Sequence, residues 1–127
     1  MPEKQNLWIL RESVEYHNSP ETREKYLEPY SDNIIVHGAR AEGLENLRCF
    51  YESVWEKVPD LKITLGNAIA DEDEVAVRYS WEGTHVDTGE KISLETGLTW
   101  YRFENNEIVE RWVAEDTSET ISRMLDL

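Results

Sequence analysis

Residues 61–115 read LKITLGNAIADEDEVAVRYSWEGTHVDTGEKISLETGLTWYRFENNEIVERWVAE. Three long extended segments, Leu61–Ala70, Glu74–His85 and Glu90–Phe103, are followed by a fourth, Glu107–Glu115. Each is rich in β-branched and aromatic residues. The breaks between them, Asp71–Asp73, Val86–Gly89 and Glu104–Asn106, are short and made of turn formers. Connections this short require antiparallel pairing, because a parallel crossover needs a dozen residues or more. The stretch therefore predicts a four-strand meander. On its last strand Trp112, Ala114 and Asp116 fall on one face by alternation. A bulky ring, a small residue and a carboxylate side by side suit a pocket wall better than a packed core.

Upstream of the meander, Leu44 to about Val58 predicts the longest helix. Leu44, Leu47, Tyr51, Val54 and Val58 form its apolar stripe, Phe50 and Trp55 widen it, and Pro59-Asp60 ends it. Such a stripe reads as core first, with Tyr51 and Trp55, one turn apart, as candidate pocket walls. Tyr30 to His37 predicts a strand centred on Ile34-Ile35-Val36, and Gly38 and Gly43 bracket the loop after it. At the N-terminus, Leu7, Leu10, Val14 and His17 recur at helical spacing. Asn18-Ser19-Pro20 stops that helix and starts a short second one, with Ser19 as cap and Pro20 at its first position, ending before Pro29. Ile121, Met124 and Leu125 predict a closing helical turn. Helices followed by an antiparallel meander define an α+β fold, and 127 residues make one domain, 1–127.

Composition narrows the function. With 13 basic and 27 acidic residues the net charge is −14, which repels phosphate backbones and anionic lipids. Neither nucleic acid nor a membrane surface is expected as partner. No apolar run approaches the roughly 20 residues of a membrane span, and no signal peptide precedes the first helix, so a cytoplasmic location is expected. Cys49 is the single cysteine, read as a buried, inert thiol. No pair of the three His shows metal-ligand spacing, and neither a phosphate loop nor a dinucleotide fingerprint occurs. No metal or cofactor is expected.

The last strand, with Asn105-Asn106-Glu107-Ile108-Val109-Glu110-Arg111-Trp112 and Asp116, resembles the ending of the SnoaL-like polyketide cyclases, part of the nuclear transport factor two-like superfamily. Three further passages resemble that pattern in order: Ser31 to Gly38; Gly43-Leu44 through Val58-Pro59-Asp60-Leu61; and Val75-Ala76-Val77-Arg78 through Gly83-Thr84-His85. The resemblance implies a curved antiparallel sheet wrapped around the long helix as a cone. It implies a cofactor-independent cyclase or isomerase that moves a proton at carbon of an apolar, carbonyl-containing substrate, and a homodimer through the sheet. The alternative is a non-catalytic ligand-binding or dimeric interaction module, since one fold hosts many functions. The hairpin after His85 is shorter than in polyketide cyclases, which argues against a polycyclic substrate. Ser80 replaces the second acid that a related epoxide hydrolase would need beside Arg78 and Asp116.

Asp116 is the candidate base, yet Asp116-Thr117-Ser118-Glu119 is also a capping box. His37 is a second proton-transfer group or a strand-end imidazole bonded to backbone. His85 lies at the cavity rim or is a solvated turn residue. Arg78 or His85 stabilises enolate charge, and Tyr51, Trp55, Trp100 and Trp112 line the ligand, with Tyr79 and Trp81 as further walls. Glu82 and Arg111 read as surface or salt-bridging groups.

Overall fold

The computed structural model describes residues 2–37 and 42–114. The order of elements is helix α1 (Pro2–His17), a 3-10 helix (Arg23–Leu27), strand β1 (Tyr30–His37), helix α2 (Leu44–Lys57), then strands β2 (Lys62–Asp71), β3 (Glu74–Thr84), β4 (Lys91–Glu104) and β5 (Glu107–Ala114). The expected Asp116, the loop around Gly38 and the closing turn at Ile121, Met124 and Leu125 lie outside the described residues.

One curved five-strand sheet runs in the order β1-β5-β4-β3-β2. The meander pairs antiparallel throughout, from Lys62↔Glu82 to Glu104↔Glu107. The Asn105-Asn106 turn places both central residues at positive φ, 50° and 68°, as a tight two-residue hairpin requires. β1 joins the edge of β5 in parallel, with His37 opposite Trp112. That pairing is long-range, with α2 and the whole meander intervening, so local pattern does not encode it. Gly43, at φ 81°, turns the chain into α2 while its N–H reaches Ile34 O.

The helices cover one face of the sheet. Leu10 and Val14 of α1, Tyr26 and Leu27 of the 3-10 helix, Leu47 and Trp55 of α2, and Val75, Val77, Tyr101, Phe103 and Ile108 of the sheet form the main core. Val54, Val58, Leu61, Tyr79, Trp81 and Ile92 form a second cluster around the end of α2. Tyr79 and Trp81, expected as pocket walls, therefore fill that end.

Two local expectations are corrected. The second helix does not begin at Pro20: Thr22 N–H bonds to Ser19 O, Thr22 Oγ1 donates to Tyr16 O, and only Arg23–Leu27 winds as a 3-10 helix. Asn18 is held elsewhere, exchanging bonds with Ile63 like one rung of a ladder, 2.7 Å to its O and 2.8 Å from its N–H. Cys49, expected buried, is exposed. Two residues past Leu47 corresponds to about 200° around the helix, so its side chain faces away from the core.

Gly83 lies where β3 passes the end of α2. A Cβ there collides with Val58 Cγ1 and stands 3.2 Å from Leu61 Cα. Val58 is fully buried and stiff at χ1, so it has nowhere to turn. Gly83→Ala is expected to lower stability by about 1–3 kcal/mol, read as a drop in the urea midpoint; an unchanged midpoint would show that the α2–β3 contact is loose.

Candidate functional site

A bulge decides which side chains of β5 meet the helices. Phe103 pairs with Ile108 but Arg102 pairs with Glu110, so Val109 is the extra residue. Uninterrupted alternation from the buried Ile108 would turn Glu110, Trp112 and Ala114 inward. The bulge reverses the parity, and Arg111 and Val113 face the helices, opposite Tyr101 and Thr99. The face holding Trp112 and Ala114, expected to line a pocket, is the outer one. Arg111, expected at the surface, is 7% exposed.

Inside, Arg111 Nε donates to Thr99 Oγ1 at 2.9 Å, and Nη1 to Tyr51 OH at 3.1 Å and Tyr30 OH at 3.4 Å. Its guanidinium carbon sits 5.0 Å from the centre of the Tyr101 ring, a cation–π contact. Tyr26 OH is 3.3 Å from Tyr51 OH, and Thr99 Oγ1 in turn donates to Trp112 O at 3.0 Å. Among the described residues every hydrogen-bond partner of the Arg111 guanidinium is a hydroxyl, and none is a carboxylate. Burial pushes the Tyr26 and Tyr30 hydroxyls well up from the usual range and Tyr101 up as well, so all three remain protonated donors. Burial alone pulls the Arg111 pKa down, but the four surrounding tyrosine oxygens outweigh it and the side chain stays charged.

His17 closes the cluster from α1. Trp55 Nε1–H can only donate, and it points at His17 Nε2 at 3.1 Å. The ring proton therefore sits on Nδ1, which donates to Asn18 Oδ1 at 3.1 Å. Burial holds the His17 pKa down at about 4, against the Asn18 hydrogen bond that raises it, so the ring is neutral at physiological pH. Tyr51 stacks on Trp55, centroids 5.7 Å apart, and the Arg23 guanidinium carbon lies over that indole, 5.6 Å from its centroid.

The structure divides the expected site residues. Tyr51 and Trp55 are together in this cluster. His85 is also buried, but it lies in the β3–β4 hairpin, where Nδ1 accepts the Asp87 N–H at 3.2 Å and Val86 N–H bonds to Lys57 O. His37, Trp112, Trp100 and Arg78 occupy the outer face. His37 stacks on Trp112 with planes 13° apart, and its Nε2 is 2.7 Å from Glu110 Oε2. Arg102 Nε holds the other Glu110 oxygen at 3.1 Å, and together the His37 and Arg102 bonds keep the Glu110 carboxyl below its ordinary range. His37 is thus bonded to a side chain, not to backbone. His17, Tyr26, Tyr30, Thr99, Tyr101 and Arg111 were not singled out from sequence as site residues. His17 in the stripe with Leu10 and Val14 carried a signal; Arg111 carried none, because the bulge hides its direction. Among the described residues no group of three or more His, Cys, Asp or Glu could hold a metal ion, and no helix is long and apolar enough to cross a membrane.

Because the folded His17 resists protonation and the unfolded chain does not, its contribution to stability is whole above pH 6.5 and is lost as pH falls toward about 4. At about 1.4 kcal/mol per unit, the wild type should lose about 3 kcal/mol more than His17→Gln across that window. Urea unfolding at stepped pH measures this; parallel curves for the two proteins would contradict a neutral, buried His17.

The SnoaL-like domain family matches residues 11–111. No curated protein is matched. Among solved structures, AclR of Streptomyces galilaeus, described as a candidate hydroxylase, is 21% identical with a TM-score of 0.80 over 98% of both chains. A SnoaL-like polyketide cyclase of Agrobacterium tumefaciens is 22% identical, TM-score 0.71, over 92% of this chain and 94% of that one. An NTF2-like protein of unknown function from Burkholderia pseudomallei is 19% identical, TM-score 0.77, over 97% and 98%. At these identities the structural neighbours establish the fold, a helix-filled curved sheet, and leave the chemistry to the residues themselves. With the family match spanning most of its length, the chain belongs to the SnoaL-like domain family.

Proposed function

We propose that the chain binds an apolar, carbonyl-containing small molecule on the helix side of its sheet and catalyses proton transfer at carbon without a cofactor, as a cyclase or isomerase. The observation that supports this reading is the buried Arg111 guanidinium set among the Tyr30, Tyr51 and Thr99 hydroxyls. Loss of a proton next to a carbonyl gathers negative charge on its oxygen. Donors already fixed in a water-poor site stabilise that charge without reorganising at the moment of reaction. Arg111 takes the part first expected of Arg78, which lies across the sheet. Tyr51, backed by the buried Trp55, offers flat apolar surface to the substrate. The base in this scheme is Asp116, the acid implied by the family pattern, which lies outside the described residues. A carboxylate in apolar surroundings has its pKa raised toward neutrality, where a general base works best. His37, bonded to Glu110 on the outer face, has no part in the scheme.

The test is hydrogen exchange at carbon. β-Keto esters and 1,3-diketones incubated with the protein in D2O should exchange above the buffer rate. Asp116→Asn should abolish the catalysed exchange with melting temperature unchanged, and Arg111→Met should slow it by about 10²–10³-fold. Exchange that survives in Asp116→Asn would end this mechanism. A variant that loses several degrees of melting temperature would assign Asp116 to helix capping.

One observation favours the second reading, a dimeric interaction module. Ile35, Leu98 and Trp100 are each about half exposed on the outer face, at 47%, 52% and 47%, where register sets them beside His37, Trp112 and Ala114. Contiguous apolar surface of this kind marks association, and the occupant proposed is a second copy of the chain. Sedimentation velocity should give a dimer for the wild type and a folded monomer for Trp100→Glu. A monomeric wild type would remove this reading and leave the first intact.

A further inference from the structure

The charge balance of the interior specifies the ligand further. Arg111 brings five N–H donors and a full positive charge, and Tyr26, Tyr30, Tyr51 and Tyr101 bring four hydroxyl protons. The acceptors among the partners described are the hydroxyl oxygens of those same tyrosines and of Thr99, whose proton is already committed to Trp112 O. These acceptors are all neutral, so none of them balances the charge that they surround. Among the described residues nothing accepts from Arg111 Nη2. A developing enolate balances such a charge only in passing, whereas a permanently ionised group balances it throughout. Resting on the reading of this interior as a ligand site, we propose that the ligand is an anion: an unsaturated or aromatic carboxylic acid. Its carboxylate would accept from Arg111 Nη2 and a tyrosine hydroxyl, and its flat body would pack along Tyr51.

The geometry fits that class. A charge-assisted bond from a guanidinium to a carboxylate is strongest where water is excluded. Of the residues bonded to Arg111, Tyr51 is the one not fully buried, so the ligand would reach the guanidinium past Tyr51 and not past Tyr26 or Tyr30. Of the Tyr51–Trp55 stack only Tyr51 is part-exposed, so its ring is the aromatic surface beside the charge that a ligand can meet. The long-range effect of −14 net charge slows the approach of an anion but does not act on the buried pair, which salt screens little.

The probes are cinnamate, salicylate and 2-naphthoate, each paired with its own primary amide, followed by calorimetric titration and thermal shift. At least one carboxylate is expected to bind about ten- to a hundredfold more tightly than its amide, the range for a charged hydrogen bond, and to raise the melting temperature. That preference should vanish in Arg111→Met. The wild-type comparison needs no variant, so a poorly folded Arg111→Met would not blunt it. Acid and amide binding alike would overturn the anion and leave a neutral-ligand pocket standing. Binding of neither would overturn both. A carboxylate preference that persists unchanged in Arg111→Met would place the anion elsewhere and overturn the assignment.

Discussion

A guanidinium taken out of water must be compensated where it lies, and in this domain the compensation falls to hydroxyl groups. Tyr26 comes from the 3-10 helix, Tyr30 from β1, Tyr51 from α2, and Thr99 and Tyr101 from β4, while Arg111 comes from β5. Five elements thus converge on one charge. Hydroxyls are weaker partners than carboxylates, but they are neutral, so they solvate the cation without cancelling it. The result is a positive site inside a chain of strongly negative net charge. The same arrangement fixes the neighbours: Tyr51, held by Arg111, carries Trp55 in a stack, and Trp55 in turn fixes the tautomer of His17.

The sheet separates this chemistry from a second surface. The inward residues of β4 and β5, Thr99, Tyr101, Arg111 and Val113, serve the interior. The outward ones, Leu98, Trp100, Arg102, Glu110 and Trp112, form an apolar strip with an ionic border. His37 belongs wholly to that border, through its stack on Trp112 and its bond to Glu110. Two chemically distinct surfaces thus occupy the two faces of one sheet, and alternation along each strand lets a single chain encode both.

The SnoaL-like fold fixes how elements surround an interior but not what that interior does. Structural neighbours of this chain include a protein described as a candidate hydroxylase, a polyketide cyclase and one of unknown function. The distinguishing features lie in particular residues. A buried Arg111 among tyrosines is one such feature, a fixed positive charge set among neutral hydroxyls.

Sequence alone determined the elements. The meander, its turns, β1, α2 and α1 all follow from local periodicity and turn chemistry, because the hydrogen bonds of a helix or a tight hairpin close over a few residues. Tyr51 and Trp55 were legible for the same reason, being one helical turn apart on an apolar stripe. The resemblance to the SnoaL-like pattern supplied the curvature. Tertiary structure decided the rest. Parallel pairing of β1 with β5 joins residues some 75 positions apart in sequence, and nothing local records it. The extra residue Val109 shows only in the register against β4; it turned Arg111 inward and Trp112 outward, the reverse of what uninterrupted alternation implies. His85 and Cys49 exchanged their expected environments because burial depends on what packs above a residue, not on its own polarity. Side-chain chemistry is written in the sequence, but the direction in which each side chain points is set by partners distant along the chain.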